Sequence, residues 1–126
     1  METLKPVTHS KWDELPLDHV NPTFDRRLVS GEHITIAQVF LAKGGGAPKH
    51  DHVNEQFSCV MKGTLRFWVG HEETQIDVKA GEVLHLPPHV PHRAEALDDV
   101  MVLDVFSPPR HDWVNRTDAY LREAKK

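Results

Sequence analysis

From Arg26 to Phe106 the chain is cut into short apolar runs, and nothing between the cuts repeats with a helical period. His33 to Leu41 reads His-Ile-Thr-Ile-Ala-Gln-Val-Phe-Leu, dominated by β-branched and aromatic residues, which predicts a strand. Phe57–Lys62 and Leu65–Val69 flank a Gly63-Thr64 turn and predict a hairpin. Thr74–Val78, Val83–Leu86, His92–Leu97 and Val100–Phe106 follow, divided by Gly70–Glu73, Lys79–Glu82, Pro87–Pro91 and Asp98-Asp99. Proline fixes φ and removes a backbone donor, while glycine and aspartate favour turns, so each run can be only a few residues long. About eight or nine short strands with almost no helix indicate an all-β sandwich or barrel. The jelly roll leads among these because it manages its edges by doubling the sheet.

A chain of 126 residues is expected to be one domain. Residues 1–25 read as an irregular N-terminal arm with room for one short edge strand, since Pro6, Pro16 and Pro22 interrupt it. Trp12, Leu15, Leu17 and Val20 in that arm need cover, from the outer face of a sheet or from a partner subunit, and a homodimer is expected. Residues 26–107 form the barrel, its first strand opening at Arg26-Arg27-Leu28-Val29. Residues 108–126 hold a C-terminal turn and helix, with Trp113, Thr117, Tyr120, Leu121 and Ala124 near helical spacing. Lys43–Pro48 reads as a tight connection whose three glycines permit positive φ and close backbone approach. No helix follows it, so it is not read as a phosphate cradle.

The net charge of −4 offers no basic footprint for nucleic acid. No apolar run reaches membrane-spanning length, and the polar start does not read as a signal peptide. Cys59 is the only cysteine, which excludes an intramolecular disulfide and fits a cytoplasmic protein. Its apolar neighbours make it a small core residue in this reading.

The polar feature that stands out is His50-Asp51-His52-Val53-Asn54-Glu55-Gln56. On an extended chain His50, His52 and Gln56 share one parity and point the same way, with Asp51, Val53 and Glu55 opposite. Two imidazoles and a neutral oxygen donor converging on one point suit a metal ion, whereas two solvated loop histidines are the plain alternative. His92, which opens a strand after a proline-stiffened turn, is the candidate third imidazole. His71 reads as solvated, His85 as a core histidine in mid-strand, and His89 as part of a pocket rim. His9, His19, His33 and His111 read as surface.

Gly44-x5-His50-x-His52-x3-Gln56-x6-Gly63 resembles the first cupin motif, and Gly81-x5-Pro87-Pro88-His89-x2-His92 resembles the second. The resemblance implies a double-stranded β-helix and one divalent metal ion (Zn, Ni, Fe, Mn or Cu) held by His50, His52, Gln56 and His92. Three positions depart from the common pattern: Gln56 where many cupins have glutamate, His89 where many have glycine, and Ala96 where many have asparagine. A neutral amide leaves a divalent ion its full charge, favouring anionic oxygen ligands and departing from the two-His-one-carboxylate triad of oxygenases.

Asp104-Val105-Phe106-Ser107-Pro108-Pro109-Arg110 is the second informative stretch. Asp104 and Phe106 share a parity, and a carboxylate in an apolar strand is rare unless paired or useful. One reading is a structural Asp104–Arg110 ion pair tying down the C-terminus. The pattern also resembles small single-domain cupins of the KdgF type, which linearise unsaturated uronates. That resemblance implies Asp104 as general acid–base, Arg110 as the clamp for a substrate carboxylate, and Phe106 as the surface packing against the sugar. His89 and Arg26 or Arg27 are weaker candidates for the rim. A metal-dependent dioxygenase and a non-catalytic sugar-acid-binding cupin are the alternatives, because the fold hosts many functions. The expected partner is a small anionic substrate, with no nucleic acid and no membrane.

Overall fold

The computed structural model describes residues 3–123. Within them lie ten strands: β1 (Asp18–Asn21), β2 (Phe24–Ser30), β3 (Thr35–Leu41), β4 (Gly46–His50), β5 (Glu55–Lys62), β6 (Thr64–Val69), β7 (Thr74–Lys79), β8 (Val83–Leu86), β9 (His92–Ala96) and β10 (Val100–Ser107). They form two antiparallel sheets, a larger one in the order β1-β2-β3-β10-β5-β8 and a smaller one in the order β4-β9-β6-β7. This is the all-β jelly-roll architecture expected from the punctuation of the sequence. No helix among the described residues is long and apolar enough to cross a membrane.

The strand that orders the site is β10, which lies between β3 and β5. Its side chains alternate strictly, with Val100, Val102, Asp104 and Phe106 buried and Met101, Leu103 and Val105 on the outer face. On β5 the same period buries Gln56, Ser58 and Val60 and turns Phe57 and Met61 outward. The register sets Ser58 opposite Asp104 and Gln56 opposite Phe106. A slip of one residue would send this whole polar set to the other face, so the flanking valines hold it in place. The core between the sheets is closed by Val39, Val60, Val102, Leu65, Phe67 and Leu86.

Several boundaries differ from the sequence reading. The sheet begins at β1, so among the described residues the arm covers 3–17, with one 3-10 turn at Trp12–Glu14. The turn into β2 is made by Asn21, whose side-chain oxygen accepts from the Thr23 backbone N–H at 3.0 Å. Trp12, Leu15, Val29 and Ile36 line one groove where the arm meets the outer face of the larger sheet. Residues 46–50 form a strand, not a connection. A Cβ on Gly46 would run into the Ala94 carbonyl, so its absence lets β4 lie against β9. Pro48 is tolerated because β4 is an edge strand. His85 is exposed, its ring stacked on Phe57 with centroids 4.6 Å apart and its Nε2 2.6 Å from Glu55 Oε2. It faces outward because β8 is paired to β5 with His85 opposite the outward Phe57. Cys59 likewise sits on the outer face, opposite Val83 and Leu103, and is only partly buried.

The C-terminal region makes two single turns, α1 (His111–Val114) and α2 (Ala119–Arg122), instead of one helix. Arg116 takes a positive φ of 57° between them, which interrupts the helical spacing of Trp113, Tyr120 and Leu121. Ala124, the last residue of that spacing, lies outside the described residues. The turns are fixed to the barrel by a fully buried ion pair, Arg26 Nη1 to Asp118 Oδ2 at 2.6 Å. Trp113 packs edge-on against Phe106 with centroids 5.1 Å apart and lies under the Arg26 guanidinium at 4.4 Å.

Candidate metal centre

His50 ends β4 and His92 begins β9, and the two are register partners in the smaller sheet. His52 lies in the short link between β4 and β5, and Gln56 lies on β5 in the larger sheet. The site therefore spans one end of the barrel, where the two sheets approach. The link is held by Asn54, a buried side chain whose Nδ2 donates to the carbonyls of Pro108 and Pro109. The proline turn is held as well, because the His89 N–H donates to the His52 carbonyl at 2.8 Å. His89 itself is exposed and takes a positive φ of 67°, at the position where many cupins have glycine.

The three imidazoles converge, with one ligating atom of each within 4.8 Å of the others. Ring centroids are 4.3 Å apart for His50 and His92, and 5.1 Å for His52 and His92. Each Nδ1 is committed to a backbone carbonyl: His50 to Pro48 at 2.7 Å, His52 to Asn54 at 2.9 Å, and His92 to Val90 at 2.9 Å. A carbonyl only accepts, so each Nδ1 carries the proton and each Nε2 presents a lone pair. Such carbonyl contacts are how metal-ligating histidines are oriented.

Burial, reinforced by the neighbouring His92, lowers the pKa of His50 to about 3. Burial and the Arg110 charge lower that of His52 to about 4. Burial also lowers His92. The rings are thus neutral at ordinary pH, the form a metal needs. Gln56 Oε1 stands 3.0 Å from His52 Nε2, so two acceptors face each other unless a cation lies between them. The donor set present fits a divalent ion.

Asp104 lies beyond this cluster. Its Oδ1 accepts from Ser58 Oγ at 2.6 Å, and Ser58 Oγ in turn accepts from Gln56 Nε2 at 2.9 Å. Burial raises the Asp104 pKa to about 6, against the lowering effects of the Ser58 hydrogen bond and the Arg110 charge. Among the described residues no ion pair joins Asp104 to Arg110, which corrects the structural-pair reading. Arg110 is buried and spends its Nε and Nη2 on Asp112, each at 3.0 Å, and a further Nη2 hydrogen on the Tyr120 hydroxyl at 2.7 Å. Asp112 wins because it sits two residues away on the same turn, while Asp104 is held on the strand by Ser58. Arg110 stacks over Phe106 at 4.7 Å and Trp113 at 4.6 Å, and its Nη1 carries no hydrogen bond to any described residue.

His50, His92, Gln56, Ser58, Asp104 and Arg110 border one cavity of about 50 Å³, with Phe106 also in its wall. His52 meets the same group through Gln56 and an edge contact to Phe106, centroids 5.9 Å apart. All seven residues singled out in the sequence are thus gathered at one end of the barrel. Arg26 is placed elsewhere, over the Trp113 ring and paired with Asp118, and Arg27 donates to the Leu15 carbonyl and Gln38 on the outside. Ser58, Asn54 and Tyr120 escaped the sequence reading. Tyr120 lies with its ring 4.8 Å from that of His50. Ser58 had a signal available, since it shares the parity of Gln56.

Residues 37–106 match the Cupin domain family, and the chain belongs to that family. It is similar to a 3-hydroxyanthranilate 3,4-dioxygenase of Paraburkholderia phytofirmans, 27% identical over 79% of this chain and 60% of that protein. The chain thus spans 60% of the length of that curated relative. Among solved structures it is similar to KdgF from a Halomonas species, with a TM-score of 0.71 and 27% identity over 80% of this chain and 94% of that one. An RmlC-like cupin from Shewanella frigidimarina gives a TM-score of 0.79 at 23% identity, over 86% of this chain and 96% of that one, and shows the shared fold.

Proposed function

We propose that the chain is a metal-dependent cupin enzyme that opens and ketonises a small unsaturated uronate or a similar anionic sugar acid. The observation that carries this reading is Asp104, a buried carboxyl with one oxygen free, bordering the same cavity as two of the three imidazoles. A pKa of about 6 lets it exchange a proton near neutrality in either direction. His50, His52, His92 and Gln56 would hold the ion, of a kind that imidazole favours: zinc, nickel, iron, manganese or copper. Bound there, the ion supplies an electrophile that orients and polarises substrate oxygens.

The substrate of this reading is a ring hemiacetal with a carboxylate and an enol-ether double bond. Asp104 Oδ2, which has no hydrogen bond to any described residue, takes the proton of the anomeric hydroxyl. The bond from the anomeric carbon to the ring oxygen breaks, leaving an aldehyde, and its electron pair passes to the ring oxygen as an enolate. Asp104 then returns the proton to the enolate carbon, and the ketone forms. One proton leaves and one comes back, so the reaction is an isomerisation. Arg110, the clamp that the resemblance implies, offers Nη1 to the substrate carboxylate as a single charged donor, because Asp112 occupies the other edge. Phe106 provides the apolar wall.

A second reading, a dioxygenase, is favoured by the similarity to 3-hydroxyanthranilate 3,4-dioxygenase. The neutral Gln56, and a buried Asp104 placed to move a proton, weigh against it. Turnover of unsaturated galacturonate by the full chain, with metal analysis of the same sample, tests the first reading. Activity lost in Asp104→Asn at unchanged metal content supports it. Oxygen consumption by the iron-loaded chain without uronate turnover sinks it.

A further inference from the structure

The proposed mechanism uses Asp104 and the imidazoles and leaves Ser58 without a part. Yet Ser58 is fully buried and joins Asp104 to Gln56, the glutamine that faces His52, through two hydrogen bonds. A serine hydroxyl has one proton to give and lone pairs to receive with. Here the proton goes to the Asp104 carboxylate, at 2.6 Å. Towards Gln56 the oxygen can then only accept, and the group it meets is the amide Nε2, at 2.9 Å.

A glutamine amide has two ends of similar size and opposite hydrogen-bonding sense. Packing alone distinguishes them poorly, whereas a neighbour that can only accept distinguishes them completely. With Nε2 held by Ser58, Oε1 is the end turned to His52 Nε2. The reverse orientation would aim an N–H at the point where the three imidazoles converge, and an N–H is no metal ligand. The register of β5 against β10 builds this arrangement, because Ser58 lies directly across from Asp104 and Gln56 is two residues along on the same inward face.

We propose that Ser58 is a positioning residue that converts the carboxylate of Asp104 into the orientation of the Gln56 amide, so that Gln56 presents oxygen and not nitrogen to the metal. The inference rests on the metal reading of the site and is independent of the reaction proposed above. It explains how a neutral amide serves where a carboxylate, with two equivalent oxygens, would need no such guide.

The test is a Co²⁺ titration of the metal-free full chain, reading affinity and visible absorption, for the unaltered protein, Ser58→Ala and Ser58→Thr. Loss of a group that orients a ligand typically weakens metal binding by about 10- to 100-fold, and that loss is expected for Ser58→Ala together with an altered absorption band. Ser58→Thr keeps the hydroxyl at the border of the cavity and is expected to retain both readouts. Ser58→Cys, close in size and a poor donor, should behave as Ser58→Ala does and serves if the alanine variant does not fold. A merely structural serine would lower the melting temperature and leave affinity and spectrum alone. Unchanged Co²⁺ affinity and absorption in Ser58→Ala would overturn the proposal by itself. Failure of the unaltered chain to bind Co²⁺ would overturn it together with the metal reading.

Discussion

Replacing Asp104 by asparagine should make the metal-free protein more stable while removing its proposed activity. The folded protein holds the Asp104 pKa at about 6, against 3.8 for an ordinary aspartate, chiefly through burial. At 1.36 kcal/mol per unit, keeping this carboxylate ionised above pH 7 costs about 3 kcal/mol of stability. Asparagine has nearly the same shape and can still accept from Ser58. The Ser58 bond is already part of that balance, and the amide Nδ2 that takes the place of Oδ2 meets no acceptor among the described residues, which offsets roughly 1 kcal/mol. The expected gain at pH 8 is about 2 kcal/mol, or about 6 to 10 °C in melting temperature for a domain this size. The sign with pH follows from linkage. A carboxyl whose folded pKa is raised gives stability that is full below its unfolded value and lost as pH rises through the folded value. The natural protein regains about 1 kcal/mol on going from pH 8 to pH 5, and Asp104→Asn does not, so its advantage shrinks by half or more. Thermal unfolding followed by circular dichroism at both pH values, with chelator present so that no cation stabilises the carboxylate, measures this. An Asp104→Asn protein no more stable at pH 8, or an advantage that is the same at both pH values, would refute the buried-charge argument.

The remaining expectations are briefer. His50 and His52 are neutral in the fold well below pH 6.5, so Co²⁺ affinity should stay nearly flat between about pH 5.5 and 7.5. A tenfold loss per pH unit across that interval would mean that the rings titrate like solvated imidazoles. Asp118→Asn breaks the fully buried pair with Arg26 and should cost about 3 kcal/mol or more, read from the urea midpoint; a cost under about 1 kcal/mol would show that Asp18, 3.3 Å from Arg26, suffices as partner. Ile36, Phe57, Met61 and Val83 are exposed on the outer face of the larger sheet, and a second copy is the cover we propose for them. Size exclusion should give twice the 14.4 kDa chain mass, and Met61→Lys with Val83→Lys should give the monomer. A monomer without the substitutions would dismiss the dimer.

What the sequence disclosed and what it withheld have different physical origins. Side chains on an extended chain alternate, so parity alone separated inward Gln56 from outward Glu55 and put Asp104 and Phe106 on one face. The same rule applied to Ser58 would have brought it in, but one serine within Phe57–Met61 looks like a small residue in an apolar run. Arg110 shows a different limit. A guanidinium reaches several neighbours, and its choice of Asp112 over Asp104 depends on a one-turn helix that periodicity had extended too far. His85 failed for a third reason: mid-strand position says nothing about face until the register is known. Pairing with the outward Phe57 settles it.

The charges around the site give a further reason to look for an anionic ligand. Three neutral imidazoles and a neutral amide leave a divalent cation uncompensated within its own ligand set. The Asp104 carboxylate is the buried acid beside it, separated by Ser58 and Gln56, and it is protonated half the time at pH 6. Arg110 adds a buried positive charge that lowers the pKa of each of the three imidazoles. Asp112 neutralises Arg110 on the side away from Nη1. A cation and a guanidinium bordering one low-dielectric cavity repel each other, and an anion between them turns both interactions attractive. A neutral substrate would leave that repulsion in place. In the reaction proposed above, a uronate carboxylate between them would remove it, with Phe106 and Asp104 in the wall of the same cavity.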